Sequence, residues 1–130
     1  MTTARISHLP AYVQPMLTLP EVQRARGAET SMQEQAAGLE EEAKWMAAYA
    51  AGDEQAFYPL FRQLAPRLLA FFRRSLSDHA LCEDLVQITF VRLHAARASY
   101  RVGAPVRPWV FTIAARVRID ELRRRQRRLQ

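Results

Sequence analysis

Three groups of residues in this chain have types and spacings that could do chemistry. The first is Glu83, Asp84 and Gln87, with Val91 and His94 following at helical intervals. At 100° per residue these five gather on one arc of a helix. Two carboxylates and an amide on one arc can accept charge-assisted hydrogen bonds from arginines of a partner. Val91, apolar among polar neighbours, suits the centre of such an interface. The second group is Arg116, Arg123 and Arg127, with Arg124 beside them. A row of this kind tracks phosphates, and each phosphate neutralised adds about 0.7 to 0.9 to the salt dependence of binding. The third is a loop from Ser99 to Arg107, holding Arg101 and bracketed by Tyr100, Trp109 and Phe111. Aromatic faces beside basic residues are what unstacked bases use, although Trp109 and Phe111 would serve equally well as core.

Catalysis has little to stand on. No serine or cysteine sits beside a readable base, and no glycine-rich loop could cradle a phosphate. Asp120 and Glu121 are adjacent and therefore point from different faces of a helix, which argues against a carboxylate dyad. His79 and Cys82 are three residues apart, but Cys82 falls on the inward arc and His94 on the outward one. A shared metal ion is not expected, nor is a cofactor or an enzymatic activity.

The elements that must position these groups read as helices throughout. The 130 residues suffice for one domain. Residues 1–31 carry Pro10, Pro15, Pro20 and Gly27 without a sustained period, and are expected to form a disordered N-terminal extension. Ser31 and Glu34 have capping-box spacing. They open a helix with Leu39, Ala43, Met46, Ala47 and Ala50 on one face and Glu40, Glu41 and Glu42 on a solvated one. Gly52 should stop this helix and Asp53 start the next. The second helix, from about Glu54 to Leu76, has a wide apolar stripe of Phe57, Leu60, Phe61, Leu64, Leu68, Leu69 and Phe72. Pro66 should kink or split it. Ser77 or Asp78 caps a third helix reaching about Ala98, with Cys82, Leu85, Val86, Thr89, Phe90 and Leu93 inward. The last helix, from about Pro108 to Arg128, has one face of Phe111, Ala115, Ile119 and Leu122, and another of Trp109, Ile113 and Val117. The expected fold is all-α: a compact bundle of four or five helices over residues 32–130.

Charge is concentrated at one end. From Pro105 to Gln130 there are eight arginines against two acidic residues, which accounts for the whole net charge of +6. A pI near 10.4 suggests an anionic partner, nucleic acid before membrane. The single cysteine excludes a disulfide framework and fits a cytoplasmic location. No run approaches the roughly 20 apolar residues that span a bilayer.

Several blocks together resemble a known family. They are Ala50-Ala-Gly-Asp-Glu-Gln-Ala-Phe57, Pro66-Arg-Leu-Leu-Ala-Phe71, Glu83-Asp-Leu-Val-Gln-Ile-Thr-Phe-Val-Arg-Leu-His94, Pro105-Val-Arg-Pro-Trp-Val-Phe-Thr-Ile-Ala114 and Ile119-Asp-Glu-Leu-Arg-Arg124. In order and spacing, over roughly residues 45–128, they resemble the second conserved region of extracytoplasmic-function (group IV, sigma-70 type) bacterial sigma factors. The resemblance implies an all-helical domain that binds the RNA polymerase core and opens promoter DNA. It assigns Glu83, Asp84 and Gln87 to the β′ clamp helices, an interface that Val91, on the same arc, is expected to join. It assigns the loop from Tyr100 through Arg101 to Arg107, flanked by Trp109, to a base flipped from the non-template strand of the −10 element. It makes Arg116, Asp120, Arg123 and Arg124 candidates for DNA contact along that element, and implies an anti-sigma factor as a further partner.

Two departures stand out. The family usually has asparagine where this chain has Arg116, so promoter specificity does not transfer. The family's second, helix-turn-helix domain is not represented in these residues, which weakens expected promoter recognition by removing a tethered contact. An alternative reading is therefore a truncated sigma-like module that sequesters polymerase or an anti-sigma factor without reading DNA. A third is a nonspecific basic nucleic-acid binder.

Overall fold

A computed structural model of the chain describes residues 32–129. The expected extension over residues 1–31, with Ser31 of the capping box, lies outside the described residues. Within them the architecture is all-α. Four helices run in chain order: α1 (Met32–Ala50), α2 (Phe57–Arg73), α3 (His79–Ala96) and α4 (Val106–Arg128). Short 3-10 turns at Glu54–Ala56 and Arg97–Ser99 precede α2 and follow α3.

Local chemistry sets the boundaries. Gly52 adopts φ 111°, a conformation that side-chain-bearing residues avoid. There the amide of Gly52 donates to Tyr49 and that of Asp53 to Ala48 (3.1 and 3.0 Å), closing α1 with a Schellman motif. Asp53 Oδ1 then accepts from the Gln55 amide at 3.1 Å, and Asp78 Oδ1 does the same for Leu81 at 3.2 Å. Each cap satisfies an amide that would otherwise have no partner. Pro66 does not split α2, which is continuous from Phe57 to Arg73. It sits buried among the apolar residues of the stripe, where its ring removes one helical hydrogen bond without ending the helix.

The core forms where the expected stripes meet. All seven apolar residues of the α2 stripe are buried, as are all six of the α3 inward arc. Aromatic contacts join three helices: Tyr49 of α1 meets Phe57 of α2 at 5.1 Å, and Phe61 of α2 meets Phe90 of α3 at 4.7 Å. Such pairs add about 0.5–1.5 kcal/mol each beyond burial. The hydroxyl of Thr89 donates to the Leu85 carbonyl at 2.8 Å, so its burial leaves no unpaired group.

Three expected faces differ. On α3, Val91 is buried (6 % exposed) rather than outward, because α3 packs against both α2 and α4 and its buried arc widens to include Ile88 and Val91. His94, also expected outward, pairs through Nδ1 with the Tyr49 hydroxyl. On α1 the buried row is Glu42, Met46 and Tyr49, while Leu39 is 46 % exposed; Glu42 is therefore not part of a solvated face. On α4 the inward residues are Val106, Val110, Ala114, Val117 and Glu121, leaving Ile119 and Leu122 more than 40 % exposed. The face actually chosen carries small side chains, which let two helix axes approach closely.

Candidate functional site

The α3 surface holds the first group. Asp84 is exposed, Gln87 is half-buried, and Glu83 lies 3.9 Å from the His79 ring nitrogen one turn earlier. Partial desolvation, then the nearby charge of Asp78, push the Asp84 carboxyl above its ordinary range. Beneath them Ile88 and Val91 belong to the core. Three of the four expected contact residues thus reach the surface; Val91 is instead a support for it.

The loop between α3 and α4 is held from within. Tyr100 is buried (5 % exposed), its hydroxyl donates to the Ala104 carbonyl, and its ring tilts against Trp109 with centroids 5.3 Å apart. Burial raises the Tyr100 phenol above its usual range. The Ala104 amide donates to the Arg101 carbonyl at 2.9 Å, closing a turn in which Gly103 takes φ 89°. A positive φ at the third position is what a type II turn requires, and glycine supplies it without strain. Tyr100 is consequently a wall of the loop rather than an open stacking surface. Arg101 and Val102 are the side chains that face out, and Trp109 is half-buried.

Arg107 was expected to face DNA, and the structure gives it a different partner. Its Nε and Nη2 donate to the two carboxylate oxygens of Glu42 at 3.0 and 2.8 Å, with Glu42 fully buried. This fork-to-fork pair fastens the start of α4 to α1. Desolvation, then the Arg107 charge, lower the Arg67 guanidinium against an opposing pull from Glu42.

On α4 the arginines divide. Glu121, also buried, draws Arg124 (3.7 Å), Arg125 (3.6 Å) and Arg128 (3.3 Å) of its own helix. Arg118 lies over the Phe71 ring at 4.3 Å. Arg116, Arg123 and Arg127 are exposed, and no ion pair engages them among the described residues. Asp120 pairs with Arg92 of α3 at 2.8 Å. Arg92, Asp120, Arg123, Arg124 and Arg127 together line a shallow open concavity of about 270 Å³. The structure thus brings Asp120, Arg123 and Arg124 together, leaves Arg116 further up the helix, and keeps Arg107 elsewhere.

The sequence model for sigma-70 region 2 matches residues 60–128. The chain belongs to that family. Among curated proteins, the RNA polymerase sigma factor CarQ of Myxococcus xanthus is 42 % identical over 72 residues, covering 55 % of this chain and 41 % of CarQ. The ECF RNA polymerase sigma factor SigM of Mycobacterium tuberculosis is 31 % identical over 83 residues, covering 64 % of this chain and 42 % of SigM. This chain therefore spans less than half the length of these relatives. No solved structure gives a significant match.

Two residues that the packing makes important carried little signal in the sequence: Arg92, inside the sigma-70 region 2 match, and Glu42, ahead of it. Glu42 was detectable in principle: it precedes Met46 by four residues and Tyr49 by seven, which places a carboxylate on the apolar side of α1. Arg92 carried no such signal, since an arginine late in a helix is ordinarily a solvated residue. Its role depends on Asp120, 28 positions away, and only the packing of α3 on α4 brings the two together.

Proposed function

We propose that this chain is a sigma-factor domain that binds core RNA polymerase through α3 and recognises and helps to open the −10 promoter element through the α3–α4 loop and α4. The role is binding; the chemistry of RNA synthesis belongs to the polymerase. The observation that carries this reading is the α3 surface made by exposed Asp84 with half-buried Glu83 and Gln87, lying inside a sequence match to sigma-70 region 2. Asp84 has no ion pair among the described residues, so its carboxylate is available to an arginine of the β′ clamp helices. Arg101, Trp109, Arg116, Arg123 and Arg124 are the surface-reaching candidates for the non-template strand. Opening a base from the stack costs a few kcal/mol, which these contacts must offset.

A second reading, sequestration of polymerase or an anti-sigma factor without DNA reading, draws support from Tyr100 and Arg107. Both were expected at the base pocket and both are engaged inside the fold. One measurement tests what the two readings share, and a second separates them. Asp84→Ala should abolish recovery of core polymerase in a pull-down under both. Arg116→Ala combined with Arg123→Ala should abolish binding of single-stranded −10 DNA in the presence of core; unchanged binding would rule out the DNA-reading function.

A further inference from the structure

Arg92 belongs to the helix that carries the polymerase-facing residues, yet its guanidinium opens toward α4. It shares the concavity described above with Asp120, Arg123, Arg124 and Arg127. Four guanidiniums from two helices meet one carboxylate there. Asp120 engages Arg92 at 2.8 Å, and Glu121 draws Arg124 from 3.7 Å. Arg123 and Arg127, one helical turn apart, have no ion pair among the described residues. The excess of positive charge is therefore local and already oriented.

We propose that this concavity is a phosphate clamp built jointly by α3 and α4, in which Arg92 and Arg127 complete a site for the sugar–phosphate backbone of nucleic acid. Asp120 acts as a resident counter-ion that holds Arg92 in place and competes with the incoming phosphate. The proposal deepens the sigma-factor reading and rests on it for the choice of nucleic acid as occupant. Guanidinium forks match phosphate and carboxylate oxygens alike, so the arrangement of the donors decides. Arg123 and Arg127 present two positive points about 6 Å apart along one helix, with Arg92 facing them from the next. A linear polyanion satisfies such a row, whereas a single carboxylate would leave most of it uncompensated. The concavity is also shallow and open, which a chain passing through requires.

The clamp has a mechanical consequence. Arg92 lies on α3, within five residues of Gln87. A partner seated on the polymerase face would therefore restrain the same rigid helix that presents Arg92 to DNA.

The test uses the full chain with fluorescent oligothymidylate as the nucleic-acid probe and inorganic polyphosphate as the free-anion probe, titrated over a range of salt. Arg92→Ala and Arg127→Ala should each reduce the slope of log affinity against log salt by about 0.7, and Arg92→Lys should keep it. Arg127 is exposed and has no ion pair among the described residues, so its variant remains informative if Arg92→Ala unfolds the chain. Asp120→Asn should tighten oligothymidylate binding, and that gain should shrink in the Arg92→Ala background. Slopes unchanged by both alanine variants would overturn the clamp. Arginine dependence confined to polyphosphate, or competition by polyglutamate with no change in the oligothymidylate slope, would overturn the nucleic-acid assignment. Arginine-dependent oligothymidylate binding in a chain that never binds core polymerase would sink the sigma-factor reading and leave the clamp standing. Selective −10 binding by the holoenzyme, indifferent to Arg92 and Arg127, would do the reverse.

Discussion

Glu42 and Glu121 are both buried carboxylates met by arginine, and they are met in opposite ways. Glu42 receives Arg107 from 65 residues away in a bidentate pair with both contacts at or below 3.0 Å. Glu121 is surrounded by arginines of its own helix, none closer than 3.3 Å and all substantially exposed. The first pair joins two elements of the fold. The second, among the described residues, has its ion pairs within one helix. An arginine-rich sequence therefore contains guanidiniums of quite different standing: some are structural, some are held by a local carboxylate, and a few remain available to a partner.

The comparison breaks most visibly at Glu42. Glu42→Ala leaves Arg107 partly buried and unpaired, a change that typically costs about 3–5 kcal/mol. Against a total stability of about 5–15 kcal/mol, thermal unfolding should reveal a severely weakened or unfolded domain. Replacing both partners by methionine should recover most of that loss, since removing a buried pair together avoids the unpaired charge. A small effect of the single substitution would show that the pair does not hold α1 to α4.

Glu121→Gln should behave differently. Its arginine partners are solvent-screened, so the stability loss should be about 1 kcal/mol or less by the same thermal measurement. It should also tighten nonspecific DNA binding at low salt, because three arginines lose their local counter-charge. Weaker DNA binding would mean that Glu121 orients those arginines rather than restraining them.

Asp84 sharpens the contrast as a third carboxylate, one that no arginine engages among the described residues. Its carboxyl is raised above the ordinary aspartate value of about 4. A raised carboxyl binds its proton more tightly in the folded state, so that contribution to stability is present at acid pH and lost as pH rises through the folded value. Binding to an arginine of the polymerase has the opposite sign, since it needs the carboxylate. Core binding should thus fail on acidification at a higher pH than an ordinary aspartate would give, and Asp84→Asn should flatten that part of the profile. This is the smallest of the three effects, and pull-down across a pH series would read it.

Much of the fold was legible because helix signals are local. The Gly52–Asp53 junction and the cap at Asp78 depend on neighbouring residues alone, and the α2 stripe was apolar enough to admit one inward face. The α4 face was less legible. Val117 was expected on a covered face and Phe111 packs against Phe71, but Ile119 and Leu122 are bulkier than Val110 and Ala114 and yet face outward, because two packed helices need close approach more than bulk. The candidate site divides along the same line. Glu83, Asp84 and Gln87 were placed on the surface by periodicity, whereas Val91, Tyr100 and Arg107 went inward on account of contacts that periodicity does not contain.

By itself the sequence determined the helical elements, their caps, the concentration of positive charge in the last helix and the family blocks, all properties of residue type and short spacing. Tertiary structure alone decided which arginines are free. A guanidinium's availability depends on whether a carboxylate reaches it. Glu42 reaches Arg107 and Asp120 reaches Arg92 only because the helices that carry them pack side by side.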